Sequence, residues 1–163
     1  MEEGDRGRAG DTDEGGIRMK VVICGYRMWS DMESISRVIN ILKTAFHPDL
    51  HIITGGAVGA DSIAHEYAKS VGIRATSVSA DWKRYKKATS PIRNRVVLDM
   101  NPDMVIAFHQ FIRNSKGTLD CVNEAVRRGI PAFVIKKNLG REFDEFMEFV
   151  WSRMKCKVDI GSM

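Results

Sequence analysis

Two hydrophobic rhythms take turns along this chain. Short apolar runs at 21–24, 51–54, 74–79, 104–108 and 132–135 read as strands, and between them apolar residues recur at helical spacing. The first helix carries the stripe Ile35, Val38, Ile39 and Leu42, opened by a capping box of Ser30 with Glu33. The second starts at Asp61, shows Ile63, Ala64, Tyr67, Ala68 and Val71, and stops at Gly72. The third begins near Ser90 and Pro91, with the serine as N-cap and the proline in the first helical position. The fourth covers 117–128, bounded by Gly129 and Pro131, and a last helix buries Phe143, Phe146, Met147, Val150 and Trp151.

Strands alternating with helices predict an α/β fold: a Rossmann-like, doubly wound parallel sheet of about five strands with helices on both faces. Such sheets bind ligands beyond the carboxyl ends of their strands, so residues distant in sequence converge on one crevice there. The folded domain is expected at 19–154. Residues 1–18, rich in Gly, Asp, Glu and Arg, read as a disordered N-terminal tail, and 155–163 as a C-terminal tail.

Composition narrows the setting. At 163 residues the chain fits one domain. No apolar run approaches the roughly 18 residues that a membrane span needs, so no membrane partner is expected. Cys24, Cys121 and Cys156 are scattered and form no CxxC pair, which argues against a disulfide framework and for a reducing cytoplasm. The histidines show no metal spacing, so no metal is expected. The net charge of +4 is partly local: Lys83, Arg84, Lys86, Lys87, Arg93 and Arg95 crowd one stretch, which can face nucleic acid, neutralise a phosphorylated ligand, or simply be solvated.

The sharpest chemistry lies in Thr54-Gly55-Gly56-Ala57-Val58-Gly59-Ala60-Asp61, where a strand meets a helix through three glycines. Glycines let backbone N–H groups approach phosphate, and the helix N-terminus adds partial positive charge. The spacing is neither GxGxxG nor a Walker A loop, so neither nicotinamide binding nor NTP hydrolysis is indicated. The plainer alternative is a tight turn capped by Asp61. A second cradle is Ser115-Lys116-Gly117-Thr118, in which Ser115 or Thr118 caps the fourth helix and Gly117 lets backbone approach a ligand.

Other candidates stand at the same edge. Gly25 permits a sharp exit from the first strand, and Arg27 follows with a guanidinium fork suited to phosphate or carboxylate. Asp81 can accept ribose hydroxyls and Trp82 can stack on a base; equally, they serve as turn and lid. Arg93, with Asn94 beside it, falls in the first turn of the third helix, where a cation opposes the helix dipole unless an anion offsets it. Asp61, Asp81 and Asp120 are the candidate catalytic carboxylates, and none has a diagnostic partner.

Gly25-Tyr26-Arg27, the Gly55–Asp61 loop, Ala80-Asp81-Trp82, Pro91-Ile92-Arg93-Asn94, Val105-Ile106-Ala107-Phe108 and Lys116-Gly117-Thr118-x-Asp120 occur in that order. This set resembles the YspA-like branch of the SLOG superfamily, also described as DUF2493, which includes the Rossmann domain of DNA-processing protein A and the Lonely Guy phosphoribohydrolases. The resemblance covers about 20–136 and implies a Rossmann-like domain binding a nucleotide or nucleotide-derived ligand, as sensor or processing enzyme. Lys86 and Ser90 replace the family's usual glycines, and Lys116 its arginine. The Lonely Guy catalytic glutamate is absent, since Cys121 stands there.

The leading function is therefore binding of a nucleotide-derived small molecule, with no cofactor called for beyond that nucleotide-like ligand. The alternatives are a hydrolase cleaving an N-glycosidic or phosphoester bond, and single-stranded nucleic-acid binding. A second copy of the chain is a further possible partner.

Overall fold

The computed structural model describes residues 18–78 and 89–161, with side chains for 18–78 and 91–154. Asp81, Trp82, the cationic residues Lys83, Arg84, Lys86 and Lys87, the segment 1–17 and the Ser90 side chain lie outside that description.

Among the described residues five strands form one sheet: β1 (Met19–Gly25), β2 (Leu50–Thr54), β3 (Arg74–Ser77), β4 (Met104–Phe108) and β5 (Ala132–Ile135). Their spatial order is β3-β2-β1-β4-β5, and every pairing is parallel. The helices are α1 (Met32–Phe46), α2 (Ala60–Ser70), α3 (Thr89–Leu98), α4 (Lys116–Arg127) and α5 (Gly140–Gly161). The α/β Rossmann-like sheet predicted from the alternating rhythm is thus observed.

Alternation along β1 divides the core, because successive side chains of a strand point to opposite faces. Val21 and Ile23 join Ile35, Val38, Ile39 and Leu42 of α1, Ala64 and Ala68 of α2, and Phe146 and Val150 of α5. Val22 joins Ile53, Val97 and Leu98 of α3, and Cys121 and Ala125 of α4. β2 and β4 are buried at every position, as expected for strands covered on both faces.

Three boundaries differ from the sequence reading. The N-cap of α1 is Asp31 rather than Ser30, and no side-chain cap bond forms. Trp29 is buried there and donates Nε1–H to the Asp31 carbonyl at 3.0 Å, which keeps the chain extended one residue further. α3 is already helical at Thr89, so Pro91 stands third in the helix, a place where its missing N–H still costs nothing. α5 continues to Gly161, past the boundary expected at 154.

The strand order reverses between β1 and β4. Gly25 lies opposite Phe108 at this seam, and the Tyr26 N–H donates to the Phe108 carbonyl at 2.8 Å. A Cβ on Gly25 would run into that carbonyl and come within 2.9 Å of the Ala60 methyl, so the seam requires glycine.

Candidate functional site

A crevice of about 760 Å³ opens at the carboxyl ends of the strands, beside the seam. Its volume falls within the usual range for small-molecule sites. Its walls come from four of the five strand ends and two helices: Cys24 to Trp29 at the end of β1, Ala57 and Asp61 after β2, Arg93 and Asn94 on α3, His109 to Phe111 after β4, Asn114 to Thr118 at α4, and Lys137 after β5.

The glycine loop is packed inward. Gly59 has φ +82° and is the N-cap of α2; a Cβ there would collide with the Arg27 backbone. The Ala60 N–H donates to the Tyr26 carbonyl at 3.2 Å. Gly59 and Ala60 therefore dock α2 against the turn after β1, and neither lines the crevice.

Asp61 is the second residue of α2, not its cap, and is only 2 % exposed. Its Oδ2 accepts the Gly55 N–H at 2.9 Å, and the N–H groups of Ala57 and of Asp61 itself also stabilise the carboxylate. Burial nevertheless pushes its pKa up to about 6, with the nearby Arg93 guanidinium and those N–H groups opposing the rise. The loop N–H groups of Gly55 and Ala57, expected to cradle phosphate, are thus directed at a resident carboxylate. Gly55 is buried, while Gly56 is exposed with φ +78°.

Arg93 lies across this loop. A Cβ built on Gly55 would sit 2.8 Å from Arg93 Nε and 3.0 Å from Asp61 Oδ2, so the missing side chain is what lets the guanidinium and carboxylate close over the strand end. Arg93 is the fifth residue of α3 and lies beyond its first turn, so the dipole conflict expected from the sequence does not arise. A different signal marks it: Arg93 Nε is buried, yet nothing among the described residues accepts its proton. Thr54 Oγ1, at the same strand end, and His65 Nδ1 on α2 are also buried without a partner among the described residues. Orphaned buried polar atoms are rare and call for an explanation, and of these three groups Arg93 is the one on the crevice wall.

The second cradle is held from α3. Ser115 caps α4, its side chain accepting the Thr118 N–H at 3.2 Å. Buried Asn94 donates to the Gly117 carbonyl at 3.1 Å and to Asp120 Oδ2 at 3.0 Å. Asp120 thereby serves a helix–helix contact and does not line the crevice. Arg95 faces the same contact, 3.6 Å from Glu124 and 3.9 Å from Asp120. Of the three candidate carboxylates only Asp61 reaches the crevice walls; Asp81 lies outside the described residues. Arg27, Lys116 and Lys137 add exposed cations. Among the described residues, no group of three or more His, Cys, Asp or Glu could hold a metal ion.

Sequence reasoning missed the aromatic part of the crevice. His109, whose spacing from the other histidines points to no role, lies buried against Tyr26 with ring centroids 4.9 Å apart. The one signal available was its place directly after β4, at the binding edge.

Known proteins share the sequence pattern and the fold. A family model described as "YspA, cpYpsA-related SLOG family" matches residues 19–85. Gene 61 protein of Mycobacterium phage D29 is 32 % identical over 120 residues, which span 69 % of this chain and 92 % of that protein. Among solved structures, DNA processing protein A from Streptococcus pneumoniae superposes with a TM-score of 0.59 at 22 % identity, over 80 % of this chain and 56 % of that one. DNA processing protein A from Helicobacter pylori, described for its single-stranded DNA binding mode, gives 0.57 at 20 % identity, over 86 % and 80 %. The molybdenum cofactor binding protein from Rippkaea orientalis gives 0.54 at 17 %, over 82 % and 85 %. At these identities the structures establish the fold alone. No described helix is long and apolar enough to cross a membrane.

Proposed function

Because the chain belongs to the YspA, cpYpsA-related SLOG family, we propose that its crevice binds a nucleotide or nucleotide-derived phosphorylated ligand, as a sensor or binding module. The observation that carries this reading is the buried, unpartnered Nε of Arg93 above Gly55. A guanidinium short of one acceptor, with Arg27 and Lys116 on the same crevice, is suited to an anion with several oxygens. The N-terminus of α4 adds backbone donors.

Asp61 sets how such an anion would be received. A phosphate reaching Arg93 meets a carboxylate already there, and a second negative charge favours the protonated form of Asp61. Ligand binding would then take up a proton at near-neutral pH. Asp61 is also the crevice carboxylate available to a hydrolase, so turnover is an outcome the test must separate from binding.

Mass spectrometry of small molecules released from the purified protein tests the proposal. The expected result is a phosphorylated nucleotide-like compound retained by the wild type and lost from Arg93→Ala. Release of a non-phosphorylated compound, or equal retention by the variant, would refute it. Appearance of a cleaved product on incubation, abolished in Asp61→Asn, would convert the module into an enzyme.

A further inference from the structure

Met28, Phe111 and Tyr26 are large apolar side chains exposed by 70, 68 and 43 %, and all three line the same crevice. Isolated exposed apolar residues need no explanation, but a cluster in a concavity does. The main chain at Phe111 and Tyr26 is moreover held in place. His109 Nδ1 accepts the Phe111 N–H at 3.0 Å, fixing the main chain that presents Phe111. The His109 ring lies against Tyr26, tilted by 53°. Tyr26 is anchored in turn by its own N–H on Phe108 and by its carbonyl, which receives the Ala60 N–H. An aromatic rim carried on an anchored main chain therefore stands in the same crevice as Arg93.

With Nδ1 acting as acceptor, His109 carries its proton on Nε2, and burial lowers its pKa, so it stays neutral at pH 7. It offers a neutral N–H donor rather than another cation. Phosphate alone has no use for an aromatic rim with a neutral donor; a heterocycle with ring nitrogens does.

Resting on the phosphate reading above, we infer that Tyr26, His109 and Phe111 form a ring subsite in which the nucleobase of the ligand stacks while Arg93 holds its phosphate. The subsite assigns base recognition to residues flanking the seam between β1 and β4. The occupant is a free mononucleotide unit rather than a strand, since the crevice unites phosphate and ring positions within one cavity of about 760 Å³.

Calorimetry with the four ribonucleoside 5′-monophosphates, ribose 5-phosphate and inorganic phosphate tests this on the full chain, beside Phe111→Ala and Phe111→Tyr. Phe111 is exposed, so both variants should fold, which thermal melts would verify. The expected result is that at least one mononucleotide binds roughly ten- to a hundred-fold tighter than ribose 5-phosphate, the scale of one stacked base. Phe111→Ala should erase that advantage without changing ribose 5-phosphate binding, and Phe111→Tyr should keep it. Equal affinity of the wild type for mononucleotides and ribose 5-phosphate, or an equal loss of both in Phe111→Ala, would overturn the ring subsite and leave the phosphate reading standing. No binding of any of the six probes would overturn the phosphate reading itself. Oligothymidylate binding more tightly than every mononucleotide, and lost in Phe111→Ala, would replace the free nucleotide with a strand.

Discussion

Asp61 turns its carboxylate back onto the loop that precedes it, accepting the Gly55 N–H at 2.9 Å. The loop thus carries its own anion. The phosphate proposed above would not be received by vacant backbone donors alone, as the glycine spacing implied; it would also have to come to terms with Asp61, with Arg93 favouring its entry.

Arg93→Ala is expected to weaken binding of a phosphorylated ligand by about 1.5–3 kcal/mol, the scale of a charged hydrogen bond. Arg93→Lys should recover little, since a point charge does not replace a planar fork. Calorimetry on the three proteins checks both statements; full recovery by lysine would show that charge alone matters.

The buried Asp61 carboxyl titrates at about 6 in the folded protein instead of 3.8. Between those values the native state holds the proton more tightly than the unfolded chain. The contribution of Asp61 to stability is therefore complete below pH 4, falls as pH rises through 6, and is constant above. Relative to Asp61→Asn, the wild type should lose up to about 3 kcal/mol between pH 4 and pH 7. Urea unfolding at intervals of one pH unit measures this, and a pH-independent difference would contradict it.

Gly59 and Gly72 have nearly the same φ, +82° and +81°, but a Cβ meets the Arg27 backbone at Gly59 and nothing within 4 Å at Gly72. Gly72→Ala should cost roughly 1–2 kcal/mol, the left-handed backbone term. Gly59→Ala should cost clearly more and loosen the crevice as well. Equal costs by chemical denaturation would mean that the docking of α2 on the Arg27 turn contributes nothing.

The hydrogen bond with Cys121 and then burial push the Cys24 thiol well above its ordinary range, and Cys121 is itself buried. Both should resist iodoacetamide at pH 8 in the native protein and react once it is unfolded in urea. Peptide mapping by mass spectrometry distinguishes them from Cys156. Rapid native labelling of Cys24, which is half-buried at the crevice wall, would contradict the raised thiol pKa.

Much of this was legible in the sequence where periodicity and position sufficed. The strands at 104–108 and 132–135 match β4 and β5, each an unbroken apolar run in the sequence, although only β4 is buried throughout. Residues 27, 61, 93 and 115–118 do converge on one crevice, as doubly wound topology requires. Local chemistry misled where a distant contact decided. Ser30 has the better capping partner in sequence, but buried Trp29 moves the helix start to Asp31. Gly59 reads as a phosphate glycine, yet it is required by the backbone of Arg27. His109 has meaning only through Tyr26 and Phe111, and Tyr26 belongs to the opposite side of the seam.

That seam divides the molecule in a further sense. Crevice residues up to Asp61 belong to the stretch that the family model matches, and those from Arg93 onward lie beyond it. The first group supplies the turn at Arg27 and the resident carboxylate; the second supplies the guanidinium, the second cradle and Phe111. A ligand seated in the crevice would therefore touch both stretches at once and tie the early strands to α3 and α4.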